Sequence, residues 1–209
     1  MTTAAERLAA LESEMKACRR CPLAEARTRV VPGEGPVNAE VLFIGEAPGF
    51  NEDRQGRPFV GQAGQLLTEL LQSIGLRRED VYITNVVKCR PPNNRDPLPN
   101  EIAACRPWLE AQLQVLAPLV ICTLGRHSMA RYFKASISRI HGQPAKIGEV
   151  WVMPFFHPAA ALHNQALRPA LFEDFQKLPA LLERARAERR AKATAAPEPP
   201  PEPKQLSLF

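Results

Sequence analysis

Two sets of side chains in this sequence have the types and spacing to do chemistry. The first is made of thiols. Cys18 and Cys21 form a C-x-x-C pair, while Cys89 and Cys105 fall at the edges of later elements, where two more thiolates could reach a shared site. Four thiolates bind zinc or an iron-sulfur cluster, and the long gap between the pair and its partners leaves that choice open. Cys122 stands inside an apolar run and reads as a small buried hydrophobe. The second set is Glu46, Ala47, Glu52, Asp53, Phe59, Asn85 and His157, which mixes carboxylates, a ring, a carboxamide and an imidazole. These types suit a flat heteroaromatic ligand. Phe59 can stack on a ring, Asn85 can donate to and accept from a polar edge, and His157 can hydrogen-bond a developing anion. Each also has a plainer use, Phe59 in a core and Asn85 at a strand-end turn, so what decides between them is whether the fold brings the set together.

The elements that must position these groups are legible in the apolar pattern. Val41-Leu-Phe-Ile-Gly45 reads as a buried strand that stops at glycine and delivers Glu46-Ala-Pro-Gly49 and then Glu52 and Asp53 to one edge of a sheet. Val81 to Lys88 is a second strand, rich in β-branched residues, which carries Asn85 and leads to Cys89. Leu119 to Leu124 is a third and Val150 to Phe156 a fourth, ending in His157-Pro158. Helical spacing covers residues 3–17, Leu66 through Ile74, residues 99–116, a stretch from Gly125 to about Phe133, and about Arg168 to Lys192. Strands alternating with helices predict an α/β fold with a mostly parallel sheet covered on both faces, which would gather the strand-end residues at one edge.

A chain of 209 residues with 45% hydrophobic content supports one well-buried domain, here taken as 1–192. Residues 193–209 differ sharply, with Pro197-Glu-Pro-Pro-Pro-Glu-Pro203 unable to form a helix or an inner strand. The net charge of +5 and pI of about 9.1 favour an anionic partner such as nucleic acid. No apolar run approaches the roughly 20 residues that span a bilayer, and the amino terminus lacks a basic segment followed by an apolar one, so a cytoplasmic protein with no membrane partner is expected.

Four motifs in order, Gly45-Glu-Ala-Pro-Gly49 with Glu52-Asp53, Arg57-Pro-Phe-Val-Gly61, Thr84-Asn-Val-Val-Lys-Cys-Arg-Pro-Pro92 and His157-Pro-Ala-Ala-Ala-Leu162, resemble the iron-sulfur, or family 4, uracil-DNA glycosylases. The resemblance runs from the first cysteine pair to about residue 180. It implies a three-layer α/β/α sandwich around a four-stranded parallel sheet and a [4Fe-4S] cluster on Cys18, Cys21, Cys89 and Cys105. It also implies a monomeric, nucleoid-associated enzyme of base excision repair that hydrolyses the N-glycosidic bond of uracil flipped out of single- or double-stranded DNA. By the same resemblance His157 and the N–H of Ala47 donate to the uracil O2, Phe59 stacks on the ring, and Asn85 reads the N3 and O4 edge against cytosine. In the best-known branch of the superfamily an aspartate that assists the water stands where this chain has Ala47. Glu46 is therefore the first candidate to orient water or stabilise the cationic sugar, with Glu52 and Asp53 behind it. The segment after His157-Pro158 resembles a loop that enters the DNA, with Leu162 as wedge and His163 beside it. Lys88, Arg90, Arg95 and Arg168 are candidate phosphate contacts.

Gln205-Leu-Ser-Leu-Phe209 resembles the peptide by which many bacterial repair proteins dock on the sliding clamp, through Gln205, Leu206, Leu208 and Phe209. About a dozen proline-rich residues at roughly 3.1 Å each would give it a reach of ~40 Å. From another class, the same features would suit a non-catalytic DNA-binding module clipped by a metal, and a nearer alternative is a glycosylase with a broader base range.

Overall fold

In the computed structural model, which describes residues 2–194, five strands form one sheet: β1 (Val41–Gly45), β2 (Tyr82–Asn85), β3 (Val120–Leu124), β4 (Ala145–Ile147) and β5 (Val150–Phe155). Their order is β2-β1-β3-β5-β4. The first four strands in space run parallel, and β4 joins the edge antiparallel to β5. This corrects the expected four-stranded sheet by one strand. Ala145-Lys-Ile147 is too short for periodicity to register, yet the two residues Gly148-Glu149 turn it straight into β5 as a hairpin.

The helices are α1 (Ala4–Lys16), α2 (Leu23–Ala26), α3 (Phe50–Gln55), α4 (Gln62–Gln72), α5 (Pro99–Leu116), α6 (Arg126–Met129), α7 (Ile137–Ile140), α8 (Pro158–His163), α9 (Leu167–Phe175) and α10 (Leu178–Thr194). Successive strand residues point to opposite faces, and the core divides accordingly. Phe43, Ile83, Cys122, Met153 and Phe155 pack with α4, α9 and α10, whereas Leu42, Ile44, Tyr82, Ile121 and Val152 pack with α1 and α5. The result is a three-layer α/β/α arrangement. Cys122 is fully buried in the first of these layers, as an apolar position requires.

Two helices differ from their sequence outlines. The stretch expected to run unbroken to Lys192 is split between α9 and α10, because Pro179 lacks an N–H and disfavours helical backbone before it, which places it near a helix start. The helix expected from Gly125 to Phe133 is a single turn, α6. Apart from residues 193 and 194, the expected tail, with the clamp-binding residues Gln205, Leu206, Leu208 and Phe209, lies outside the described residues. Among the described residues no helix is long and apolar enough to cross a membrane.

Candidate functional site

β1 leads to β2 on one side and β3 lies on the other, so the chain direction switches beside β1. In such sheets a crevice opens beyond the carboxyl ends of the strands at that point. A cleft of about 380 Å³ lies there, lined by Glu46, Ala47, Glu52, Phe59, Asn85, His157 and His163, together with Asn94 and Asp96. Six of the seven residues picked from sequence therefore meet in one place, and Asp53 does not. A larger groove of about 870 Å³ runs beside the amino ends of β3 and β5, next to Trp151 and α10. It has an apolar floor with a scatter of charged side chains and no such convergence.

Asn85 ends β2, directly across from Gly45, the last residue of β1. It is 1% exposed, and its Oδ1 has no hydrogen-bond partner among the described residues. An unpaired buried carboxamide oxygen is costly, which marks it as an acceptor awaiting a donor. Gly45 makes this placement possible: a Cβ there would stand 2.4 Å from Asn85 Oδ1 and 2.7 Å from the Phe59 ring.

Phe59 is held in an unfavourable backbone conformation, with φ of 51°. Arg78 clamps it, donating to the carbonyls of Phe59 at 3.0 Å and Pro58 at 2.9 Å. Gly64 in α4 lets the Phe59 backbone lie so close that a Cβ would fall 1.8 Å from its carbonyl oxygen. Glu52 completes the support by accepting from the N–H groups of Val60 and Gly61, both at 2.8 Å, and of Gly49 at 3.1 Å. Its carboxylate braces the loop that carries Phe59. Asp53 is turned away from the cleft and accepts from the N–H groups of Thr28 at 2.8 Å and Arg29 at 3.3 Å.

His157 precedes α8 and caps it, its Nδ1 accepting from the N–H of Ala159 at 3.1 Å. That bond places the ring hydrogen on Nε2, leaving a donor, and the ring lies against Phe59 with centroids 5.6 Å apart. Burial pushes the pKa of His157 down to about 4, so the imidazole is neutral at physiological pH.

Glu46 follows β1 and faces a pair that sequence reasoning missed. His127 Nε2 lies 3.8 Å from its carboxylate and 3.3 Å from that of Asp96, and Arg126 binds Asp96 in turn. Burial raises the pKa of Glu46; His127 and Arg126 oppose that shift, whereas Asp96 adds to it. His127 could have been found by applying the strand-end rule to β3, since it sits just beyond Leu124-Gly125. Asp96 lies in the irregular proline-rich segment and carries no local signal.

The four cysteines also converge. Cys18, Cys21, Cys89 and Cys105 line one small cavity with Met15, Lys88 and Trp108. Three N–H donors aim at sulfur: Arg27 at Cys89 (3.2 Å), Trp108 at Cys18 (3.3 Å) and the main chain of Lys88 at Cys105 (3.3 Å). Burial pushes the Cys89 thiol up to about 11 and raises Cys105 as well, so a bound cation is needed to hold these sulfurs as thiolates. An all-sulfur donor set with hydrogen bonds to the sulfurs fits an iron-sulfur cluster.

Of the residues expected at DNA, His163 is exposed at the cleft, while Leu162, partly buried, packs against the core. Arg168 pairs with Glu69 at 2.5 Å and lies over the Phe172 ring. Arg90 donates to Asn94 at 2.7 Å, and Arg95 is paired with Glu101. Lys88 is 1% exposed, which overturns its reading as a phosphate contact: its Nζ donates to Thr84 and Asn85 inside the protein and cannot reach a solvent-borne phosphate.

Comparison with known proteins shows the family. The family described as "Uracil DNA glycosylase superfamily" matches residues 32–178. A type-4 uracil-DNA glycosylase of Sulfurisphaera tokodaii is 50% identical over 179 residues, covering 80% of this chain and 81% of the relative. One from Thermotoga maritima is 48% identical over 183 residues, covering 85% and 95%. A type-5 uracil-DNA glycosylase of Thermus thermophilus is 36% identical over 141 residues, covering 60% and 64%.

Proposed function

The chain belongs to the uracil DNA glycosylase superfamily, and we propose that it hydrolyses the N-glycosidic bond of uracil in DNA as a type-4 uracil-DNA glycosylase. The observation that carries this reading is the Oδ1 of Asn85, without a partner among the described residues and buried in a cleft that also holds a ring and a neutral imidazole donor. Uracil offers a donor at N3 and acceptors at O4 and O2. Asn85 Oδ1 accepts from N3–H and its amide group donates to O4, Phe59 stacks on the ring, and His157 Nε2–H donates to O2 with the N–H of Ala47 beside it. Cytosine presents an acceptor at N3 and a donor at N4, which reverses both contacts of Asn85 and leaves buried polar atoms opposed.

As the N1–C1′ bond breaks, its electron pair passes to the base and negative charge collects on N1 and O2. The neutral His157 meets that charge with a hydrogen bond already in place. The sugar gains oxocarbenium character, and Glu46, ionised, orients water toward C1′ and stabilises the cationic ring. The water oxygen bonds to C1′ as one of its protons passes to Glu46, the uracil anion takes up a proton at N1, and the products are free uracil and an abasic site. Glu52 serves the reaction by bracing the Phe59 loop. The base must be flipped out of the stack to reach the cleft, with Leu162 and His163 on the side where the gap would be filled and Arg168 near the strand.

Cys18, Cys21, Cys89 and Cys105 would hold a [4Fe-4S] cluster, which would tie the amino-terminal segment to the turn after β2 and to α5. Gln205, Leu206, Leu208 and Phe209 would dock on a bacterial sliding clamp; deleting the last five residues should abolish binding to purified clamp and spare excision from short oligonucleotides. Incubating the protein with uracil-containing single- and double-stranded oligonucleotides, followed by alkaline scission, tests the activity itself. Cleavage confined to the uracil position is expected. Intact strands from an iron-replete protein would overturn the proposal.

A further inference from the structure

We propose that Lys88 is a positioning residue for base reading, tying the cysteine centre to the end of β2 from which Asn85 faces the cleft. This rests on the reading of Asn85 as the group that recognises uracil. Lys88 is one of the largest fully buried side chains among the described residues, and its Nζ contacts there are a hydroxyl and a carbonyl, not a carboxylate. Its Nζ instead donates to Thr84 Oγ1 at 2.6 Å and to the carbonyl oxygen of Asn85 at 2.7 Å.

Those two acceptors lie where β2 leaves the sheet, so a side chain three and four residues farther on closes the turn back onto the strand end. The main chain of Lys88 is held at both ends as well. Its N–H donates to Cys105 Sγ at 3.3 Å, its carbonyl accepts from the N–H of Val31 at 2.8 Å, and Cys89 follows it directly. Thr84 passes the contact on by donating to the carbonyl of Pro32 at 2.6 Å, which also accepts from Gln112 at 2.9 Å. Buried and linked by these hydrogen bonds, the network favours one geometry.

The side chain of Asn85 has no equivalent support, since its Oδ1 accepts from nothing among the described residues. Its aim is set from the main-chain side, and Lys88 holds that side. A methionine would fill the same volume without burying an amine, so a lysine here is explained by its donors rather than by its bulk.

Lys88→Met removes the donors and keeps most of the volume. The expected result is a fall of about 100-fold in the single-turnover rate on uracil, the scale of a 1 Å misplacement of a reacting partner. Affinity for free uracil should weaken in parallel, whereas iron content and visible absorbance per chain stay at wild-type values. Lys88→Gln, which keeps an N–H₂ donor group on a shorter side chain, should recover part of the rate. A Lys88→Met protein that excises uracil at the wild-type rate per iron-loaded chain would overturn the proposal, and so would a loss of rate that only follows loss of iron. Should Lys88→Met fail to fold, Thr84→Val removes one of its two acceptors with the lysine intact. It is expected to reduce rate and uracil affinity in the same way, and unchanged values would equally overturn the assignment. A wild-type protein inactive on uracil would remove the underlying function and this role with it; an active wild type with an equally active variant removes the role alone.

Discussion

Replacing Gly45 by alanine should disable base recognition in a protein that still folds. Gly45 stands opposite Asn85 in the β1–β2 register, and the new methyl group would lie 2.4 Å from Asn85 Oδ1 and 2.7 Å from two atoms of the Phe59 ring. Ordinary contacts of this kind are about 3.5–4.0 Å, so the two groups must each withdraw by roughly 1 Å. Displacement on that scale costs about 100-fold in rate, equivalent to ~2.7 kcal/mol of lost transition-state stabilisation. The overpacking itself costs about 1–3 kcal/mol of stability, and each kcal/mol lowers Tm by only about 2–4 °C in a chain of this size. The assay is single-turnover excision from a uracil-containing oligonucleotide at 25 °C, with a thermal melt on the same preparation. A rate within twofold of wild type would refute the placement of Asn85 and Phe59 around Gly45.

Further predictions follow from the charges and donors around the cleft. Since Glu46 must be ionised and burial raises its pKa, the excision rate should climb with pH above the usual carboxylate range. Asp96→Asn should move that limb to lower pH, His127→Ala should move it to higher pH, and Glu46→Gln should remove it; a rate profile that none of these alters would exclude Glu46 as the titrating base. His157, held down to about 4 by burial, should give the ¹⁵N signature of a neutral Nε2–H imidazole at pH 6, and an imidazolium signal there would contradict its assignment. Because the unfolded chain binds that proton more readily than the native one, the His157 contribution to stability is complete above pH ~6.5 and is lost as pH falls toward about 4. Urea titrations across that range should show the decline in the wild type and a flatter profile in His157→Gln. Cys105→Ser should lower iron content and Tm together, and retention of wild-type iron would remove Cys105 from the cysteine centre.

Much of this arrangement was legible in the sequence because it follows from strand ends. Apolar runs closed by Gly45, Asn85 and His157 mark where strands stop, and a parallel sheet brings such stops to one edge. The motifs were also local enough to be compared with a known family. Other features depend on approach in space and leave no periodic trace. Gly64 looks like an ordinary helix residue until its closeness to the Phe59 carbonyl is seen, and Arg78 gives no hint that it clamps residues 58 and 59. Lys88 was misread because a charged side chain beside Arg90 suggests a surface, whereas the chain turns back there and buries it. The edge strand β4 was missed because three residues are too few for a pattern. Glu52 was selected for its charge and turned out to support a loop through three main-chain N–H groups.

The central claim is that a buried carboxamide at the end of β2 selects uracil. It is tested most directly by comparing single-turnover excision of uracil and cytosine from otherwise identical oligonucleotides by the wild type and Asn85→Ala. The wild type should favour uracil by about 10⁴-fold or more, the range reached when a site is built to hydrogen-bond one partner and leaves buried groups opposed with the other. Asn85→Ala should lose most of its uracil rate and most of that preference. Comparable release of both bases by the wild type, or full retention of uracil excision and selectivity by Asn85→Ala, would contradict the account.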